Sequence, residues 1–250
     1  MTVSTQYIAE VRLNREKVPS FKCYPFALPA VRRLKTLALH PAVTFFIGEN
    51  GSGKSTLLEA IAVAWGFNPE GGSKNFCFGT RESHSDLHKY LRISKGVPRP
   101  RDGFFLRAES FFNVATQIEE LDAEPGAGPP IGPSYGDRSL HEQSHGESFL
   151  ALLVNRFRGK GLYILDEPEA ALSPHRQLSV ITRIHDLVQE KSQFLIATHS
   201  PILMAYPHSY IYSFSPNKIE RIKYHDTEHY RVTRDFLANP ERMLKVLMAP

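Results

Sequence analysis

The feature that most constrains this chain is a glycine-rich octapeptide at residues 48–55, GENGSGKS, which fits the pattern G-x-x-x-x-G-K-[ST]. A short apolar run at 43–47 precedes it, and apolar residues at helical spacing follow it through Trp65. This order predicts a buried strand, a tight loop and a helix. Glycines let successive backbone N–H groups point at phosphate oxygens, and the helix N-terminus adds a partial positive charge. The octapeptide therefore predicts a phosphate-binding loop.

Individual residues of this loop have distinct expected roles. Lys54 would reach the β- and γ-phosphates of a nucleotide, and the Ser55 hydroxyl would ligate Mg²⁺. The expected nucleotide-binding positions in and beside the loop are Gly48, Asn50, Gly51, Ser52, Gly53, Lys54, Ser55 and Thr56.

A second apolar run, residues 161–165, ends in two adjacent acids, Asp166 and Glu167. Open α/β sheets bind ligands at the C-terminal ends of their strands, so this position suits a site. Successive strand residues point in opposite directions, and the two acids can therefore differ in function. Asp166 can hold Mg²⁺ through water, and Glu167 can polarise an attacking water. The alternative is a solvated turn before Pro168.

The remaining core pattern predicts an α/β fold. A third apolar run spans 193–197, and Ser173-Pro174 has the pattern of a helix start. Uniformly apolar strands separated by helices are typical of a parallel sheet that is covered on both faces. Further strands are expected at 210–214 and 219–223, and a last short helix after Asn239-Pro240.

The segments between these core elements are polar or rich in glycine and proline, which is typical of surface segments. We therefore predict a single domain over residues 1–250. Its core comprises about 1–67 and 146–250, and a small, partly helical lobe is inserted at about 68–145.

Composition excludes several classes of protein. The 16 glycines and 18 prolines are ordinary usage for 250 residues and no period repeats, which excludes collagen-like and solenoid folds. Two cysteines, Cys23 and Cys77, cannot form a disulfide framework. No apolar run approaches the roughly 18 residues of a membrane span, and no secretory signal is visible, so a cytoplasmic protein without an integral membrane segment is expected.

A further motif lies at residues 143–147, before an apolar helical stretch. Ser144 or Ser148 can cap that helix, and Gly146 lets the backbone approach an anion. With the phosphate loop, the paired acids, the loop at 169–173 and Thr198-His199-Ser200, this order of motifs resembles that of the ABC ATPase superfamily. Within it, the chain looks most like stand-alone AAA-family ATPases related to the repair and chromosome-maintenance branch.

The resemblance implies a P-loop NTPase fold with an ABC-type nucleotide-binding core, a mainly parallel sheet flanked by helices, and ATP and Mg²⁺ as ligands. It also implies an ATP-dependent homodimer, in which the signature residues Ser144, Gly146 and Glu147 of one subunit close over the ATP of the other. His199 matches the switch histidine that contacts the γ-phosphate. The catalytic residues implied are Lys54, Glu167 and His199.

The sequence departs from the family pattern at two places. Glu109 stands at the position of the glutamine that approaches the metal, so it joins Ser55 and Asp166 as a candidate metal ligand, with Gln117 as an alternative for that glutamine's role. His145 and Glu147 replace a glycine and a glutamine of the signature.

These motifs favour ATP hydrolysis to ADP and phosphate, outside transport, in DNA repair or defence, with a separately encoded effector as a partner. The alternatives are the nucleotide-binding subunit of a transporter and a non-hydrolysing, ATP-gated interaction module. Residues 141–145 also fit the H-E-x-x-H pattern of zinc proteases, but they follow a Gly/Pro-rich loop instead of lying within a long helix.

Two other groups of residues have open interpretations. An acid-free basic stretch could contact nucleic acid or dock a partner, or it could be a solvated face. Aromatic residues before the phosphate loop could stack on adenine or pack in the core. The basic residues are Lys89, Arg92, Lys95, Arg99 and Arg101, and the aromatic ones Phe21, Tyr24 and Phe26.

Overall fold

A computed structural model of the protein describes residues 6–73, 85–107, 116 and 145–249, and of His145 the backbone alone. A six-stranded sheet forms the centre, with the strand order β5-β6-β7-β3-β8-β9. Its neighbouring strands are parallel, except that β9 runs antiparallel to β8. The strands are β3 (Val43–Gly48), β5 (Asp102–Arg107), β6 (Gly161–Asp166), β7 (Gln193–Ala197), β8 (Tyr210–Phe214) and β9 (Ile219–Ile222).

A second, antiparallel sheet has the order β2-β1-β4, with β1 (Ile8–Leu13), β2 (Thr36–Ala38) and β4 (Leu91–Lys95). Helix α2 (Lys54–Trp65) packs between the two sheets, and one apolar cluster joins Val11, Leu58 and Leu195 across all three layers. A helix that is covered on both sides must be apolar around most of its circumference, which is what the α2 sequence shows. A four-residue helix, α1 (Pro29–Arg32), lies on the chain between β1 and β2.

The other face of the central sheet is covered by α3 (His145–Ala151) and α4 (Pro174–Gln189). Helix α4 is amphipathic and buries Val180, Ile184 and Leu187 against the sheet. It begins where the sequence predicted, because the Ser173 hydroxyl accepts a hydrogen bond from the Arg176 amide at 3.4 Å and Pro174 occupies the first turn.

Two C-terminal helices, α5 (Glu228–Ala238) and α6 (Pro240–Leu247), bury no residue completely. Asn239 caps α6 as predicted, since its side chain accepts from the Arg242 amide at 3.1 Å. Among the described residues, no helix combines the length and the apolar character needed to cross a membrane.

Strands β4 and β5 lie inside the range 68–145 that the sequence predicted to form an inserted lobe. Strand β4 pairs with β1 and β5 pairs with β6, so residues 91–107 belong to the two sheets, and this part of the predicted boundary is corrected. The β4 sequence contains no apolar run, because its side chains are exposed or only partly buried. Most of the remaining range lies outside the described residues, and the helical lobe stays a prediction.

The two sheets are joined by the side chain of Gln193, which is fully buried in β7. Its Oε1 accepts from the amides of Tyr7 and Ile8 at 3.0 and 2.9 Å, and its Nε2 donates to the carbonyl oxygens of Ile8 and His40 at 2.8 and 2.9 Å. The amide thus uses its complete hydrogen-bonding capacity to attach β1 to the central sheet.

Replacing Gln193 by leucine is expected to lower the free energy of unfolding by about 4 kcal/mol, because four buried backbone groups lose their partner. Urea unfolding of the two proteins measures this difference. Gln189→Leu, at an exposed position of α4, is the matched control and should change the free energy by about 0.5 kcal/mol or less. Equal losses in the two variants would contradict the role of Gln193.

Candidate nucleotide-binding site

The loop between β3 and α2 has the backbone conformation that its glycines permit. Gly51 and Gly53 have φ values of +77° and +92°, a region that residues with a Cβ rarely adopt. At Gly48 an added Cβ would collide with the backbone carbonyl of Phe214 on the neighbouring strand. The loop therefore turns tightly at the C-terminal edge of the central sheet, where the sequence predicted it.

Lys54 is buried in this loop and is 4% exposed. Its Nζ donates to the carbonyl oxygens of Gly48 and Glu49 at 2.7 and 3.0 Å. Burial lowers the pKa of Lys54, and the nearby carboxylates of Glu167 and Asp166 oppose that shift. The loop thus holds the Lys54 side chain against its own carbonyl oxygens and near the two acids at the end of β6.

The phosphate loop and the paired acids meet, although they are far apart in sequence. The Ser55 hydroxyl donates to Oδ1 of Asp166 at 2.9 Å, and Asp166 is 8% exposed. Serine hydroxyl and carboxylate oxygens are hard ligands that suit Mg²⁺, which takes only one or two protein carboxylates together with substrate phosphates. Ser52 Oγ is also buried and has no hydrogen-bond partner among the described residues. These oxygens fit a magnesium-bound phosphate ligand.

Glu167 directs its side chain differently from Asp166. Its backbone has φ +51°, uncommon for a residue other than glycine, and its amide donates to the Ala197 carbonyl oxygen at 2.9 Å. The Glu167 side chain is 42% exposed, whereas Asp166 is buried. A strained backbone at such a position is typical of functional sites.

His199 follows β7 and lies beside Glu167. Its Nε2 is 3.6 Å from Oε1 of Glu167, and its backbone amide donates to Oε1 of Glu169 at 2.5 Å. Burial lowers the pKa of His199, and the charge of Lys54 lowers it further. The imidazole is therefore held neutral near pH 7, with one nitrogen able to donate a hydrogen bond and the other to accept one. The structure thus brings Lys54, Ser55, Asp166, Glu167 and His199 to one edge of the sheet.

His229, in the first turn of α5, is a site residue that the sequence did not reveal. Its Nε2 lies 3.2 Å from Nδ1 of His199, so the two rings share a hydrogen bond. Burial lowers the pKa of His229, and His199 lowers it further. Both histidines line a cavity of about 480 Å³, together with Gly48, Asn50 and Val232. No local motif marks His229, because its relation to the site depends on how α5 packs.

The described signature residues, Gly146 and Glu147, contact segments that follow the paired acids at the same edge of the sheet. Gly146, in the first turn of α3, lies so close to the turn at 168–171 that an added Cβ would be 2.5 Å from the Ala171 carbonyl oxygen. Glu147 is 3.2 Å from Arg176 at the start of α4. Glu109, Gln117, Ser144 and residues 141–144 of the zinc-protease pattern lie outside the described residues.

The aromatic residues before the phosphate loop have separate environments. Phe26 is buried edge-to-face against Tyr90, whereas Tyr24 is 67% exposed. Phe21 carries the guanidinium of Arg15 at 4.2 Å from its ring centroid. Core packing therefore accounts for Phe26, and of the three only Tyr24 offers a largely exposed ring.

Two family models match the chain. One, described as "AAA domain", covers residues 20–118, and the other, described as "AAA domain, putative AbiEii toxin, Type IV TA system", covers residues 132–205. Together they include the phosphate loop, the signature, the paired acids and His199.

Curated relatives are named as ABC transporter or ATP-binding proteins. The chain is 28% identical to the ABC transporter G family member STR2 of Medicago truncatula over 64% of its length, but spans only 24% of that protein. It is 28% identical to the thiamine import ATP-binding protein ThiQ of Histophilus somni, over 61% of this chain and 74% of that one. It is 30% identical to the ABC transporter ATP-binding protein ModF of Escherichia coli, over 61% and 34% of the two chains.

Solved structures with a similar fold have low sequence identity. One is an inward-facing structure of a protein described as a metal-chelate type ABC transporter, with a TM-score of 0.54, 16% identity, and coverage of 91% of this chain and 88% of that one. Another is an ATP-binding cassette of an ABC transporter, with a TM-score of 0.50, 17% identity and coverage of 98% and 100%. At this level of identity, the likeness concerns the fold.

Proposed function

We propose that the chain is an ABC-type ATPase that hydrolyses ATP, and that two copies assemble head to tail around two Mg²⁺–ATP complexes. The observation that carries the proposal is the contact between Ser55 and Asp166, which joins the phosphate loop to the acid pair. Glu167 and His199 lie beside it and supply the groups that hydrolysis requires.

In this proposal, each residue at the sheet edge has a defined task. Backbone amides of the glycine loop and Lys54 Nζ hold the phosphates, and the buried Ser52 hydroxyl adds a further polar contact. Ser55 and Asp166 hold the metal. When bound, Mg²⁺ neutralises negative charge on the phosphate oxygens.

The carboxylate of Glu167 orients a water molecule and accepts its proton, because it is the more exposed of the two acids. The neutral imidazole of His199 donates a hydrogen bond to the γ-phosphate. His229 is a positioning residue, since its contact with Nδ1 of His199 fixes the orientation of the ring.

The partner subunit completes the site in this arrangement. Gly146 and Glu147 lie at the N-terminal end of α3, where backbone N–H groups favour an anion. Their contacts are with the turn after the acid pair and with Arg176. In the proposed dimer, Gly146 and Glu147 of one subunit approach the ATP that is bound to the phosphate loop of the other. Each ATP then has a full set of ligands, which is why the active unit is proposed to be a dimer.

We further propose a role outside transport, in DNA repair or defence, with a separately encoded effector. It is supported by His145 and Glu147 in the signature and by Glu109 at the glutamine position. The alternative is a transporter subunit, since relatives of the chain are named as import or transporter ATP-binding proteins. Purification under mild detergent distinguishes the two, because stoichiometric recovery of a transmembrane subunit would overturn the role outside transport.

The metal assignment is tested by Asp166→Asn. We expect wild-type ATP hydrolysis to require Mg²⁺ and the variant to lose roughly a hundredfold in turnover, because an amide replaces the charged oxygen beside Ser55. Steady-state phosphate release over a Mg²⁺ titration measures both effects. Asp186→Asn, the same change at an exposed position of α4, is the matched control. An unchanged Mg²⁺ dependence in Asp166→Asn would contradict the assignment.

A further inference from the structure

A polar cavity of about 560 Å³ lies at the edge of the central sheet opposite the nucleotide-binding site. It is lined by the first residues of β5, Asp102 and Gly103, and by the β4–β5 connection, whereas the phosphate loop and acid pair lie where β3 and β6 end. The cavity is rich in cations, with Lys95, Arg99 and Arg101 among its lining residues.

The acid of this cavity is already neutralised. Asp102 accepts two hydrogen bonds from Arg156 Nη1, at 2.8 and 3.0 Å, and another from the Tyr163 hydroxyl at 2.8 Å. Lys95 lies over the ring of Trp65 at 4.8 Å, and it forms no ion pair with a described residue. Arg99 and Arg101 are exposed and also have no acidic partner in the described part of the chain. Three positive charges of this cavity thus have no acidic partner among the residues that the structure describes.

The positive surface continues into a second cavity of about 290 Å³, which shares Arg101 and adds Lys160 and Lys191. Backbone hydrogen bonds fix the loops that carry these residues, because the Arg101 amide donates to the Lys160 carbonyl oxygen and the Lys160 amide to that of Glu190, each at 2.8 Å. Glu190 is the acid among the lining residues of this cavity. We call Lys95, Arg99, Arg101, Lys160 and Lys191 the basic edge.

We propose that the basic edge binds single-stranded nucleic acid through its phosphate backbone. Five cations around two cavities that share Arg101 match the repeated negative charge of a polynucleotide. A flexible single strand can bend to follow both cavities, whereas bending a stiff duplex costs energy. Because the basic edge and the phosphate loop are at opposite edges of the sheet, this binding does not depend on the proposed ATP cycle.

Fluorescence anisotropy with a fluorescein-labelled oligothymidine of about 20 nucleotides tests the proposal without added nucleotide. The Arg99→Glu/Arg101→Glu variant should bind at least roughly tenfold more weakly at low salt, because it reverses two phosphate-contacting charges. The slope of log affinity against log salt concentration should decrease in magnitude by about 1.4, which is two contacts at about 0.7 each. Lys160→Glu/Lys191→Glu, in the second cavity, should show the same change.

The matched control is Arg242→Glu/Lys245→Glu, which makes the same change in net charge at exposed positions of α6. It should retain wild-type affinity. Equal losses in the control, tighter binding of a duplex of the same length, or no binding by the wild-type chain at low salt would each overturn the proposal. Thermal unfolding and ATP turnover of each variant show that the fold is intact, since the basic edge takes no part in hydrolysis.

Discussion

ATP turnover by the Glu167→Gln variant is expected to fall by roughly a thousandfold while ATP binding is retained, because a general base contributes about 10² to 10⁴ in rate. Glutamine has the same shape as glutamate, and the backbone amide of residue 167 would keep its hydrogen bond to the Ala197 carbonyl oxygen. The Glu167 side chain is partly exposed. The substitution thus removes the proton acceptor and leaves the phosphate loop unchanged.

The same variant should accumulate as a dimer in the presence of Mg²⁺ and ATP, because the closed complex can no longer proceed to ADP. Calorimetric ATP binding, phosphate release and size-exclusion chromatography measure the three consequences separately. Glu190→Gln, the same exchange at an exposed residue of the opposite sheet edge, is the matched control. A Glu167→Gln protein that hydrolyses ATP at the wild-type rate would refute the role of Glu167 as the base.

The parts of the fold that could be predicted are those with a local signal. Strands β3, β6 and β7 are buried on both faces, so they appear as short apolar runs, and the glycine pattern of the phosphate loop depends on its own backbone conformation. Strand β4 is different: it pairs with β1, but its side chains are mostly exposed, and its sequence is as polar as a surface segment. Its membership of the antiparallel sheet is decided by a distant partner strand.

Two contacts that position the candidate site could not be predicted from the sequence, because each of them joins residues that are distant in the chain. Gln193 hydrogen-bonds to residues more than 180 positions away, and His229 meets His199 across 30 positions. A lone buried glutamine and one of 11 histidines have no pattern that distinguishes them. By contrast, the contact between Ser55 and Asp166 could be predicted from the sequence, because parallel strands place their C-terminal ends at one edge of the sheet.

The proposed site between two subunits leads to a second prediction with a large effect. Two variants that are inactive alone should regain ATP turnover when they are mixed. Lys54→Ala removes the phosphate-loop cation and keeps the signature, whereas Gly146→Asp keeps the phosphate loop and alters the signature. At Gly146 a Cβ would lie 2.5 Å from the Ala171 carbonyl oxygen, and the aspartate adds a negative charge where an anion is expected to bind. Each protein alone should lose ATP turnover by at least roughly a hundredfold.

Mixing the two variants in equal amounts should restore about a quarter of wild-type turnover, because half of randomly formed head-to-tail pairs are heterodimers and each has one intact site of two. Glu147→Ala, which removes a proposed signature residue at an exposed position without adding a charge, replaces Gly146→Asp if thermal unfolding shows that the glycine variant is destabilised. The matched control mixes Lys54→Ala with Asp166→Asn, whose defects both lie on the phosphate-loop side of the site, so every pair has two defective sites. Since a subunit that acts alone cannot be rescued, additive residual rates in the first mixture would show that each chain hydrolyses ATP without its neighbour.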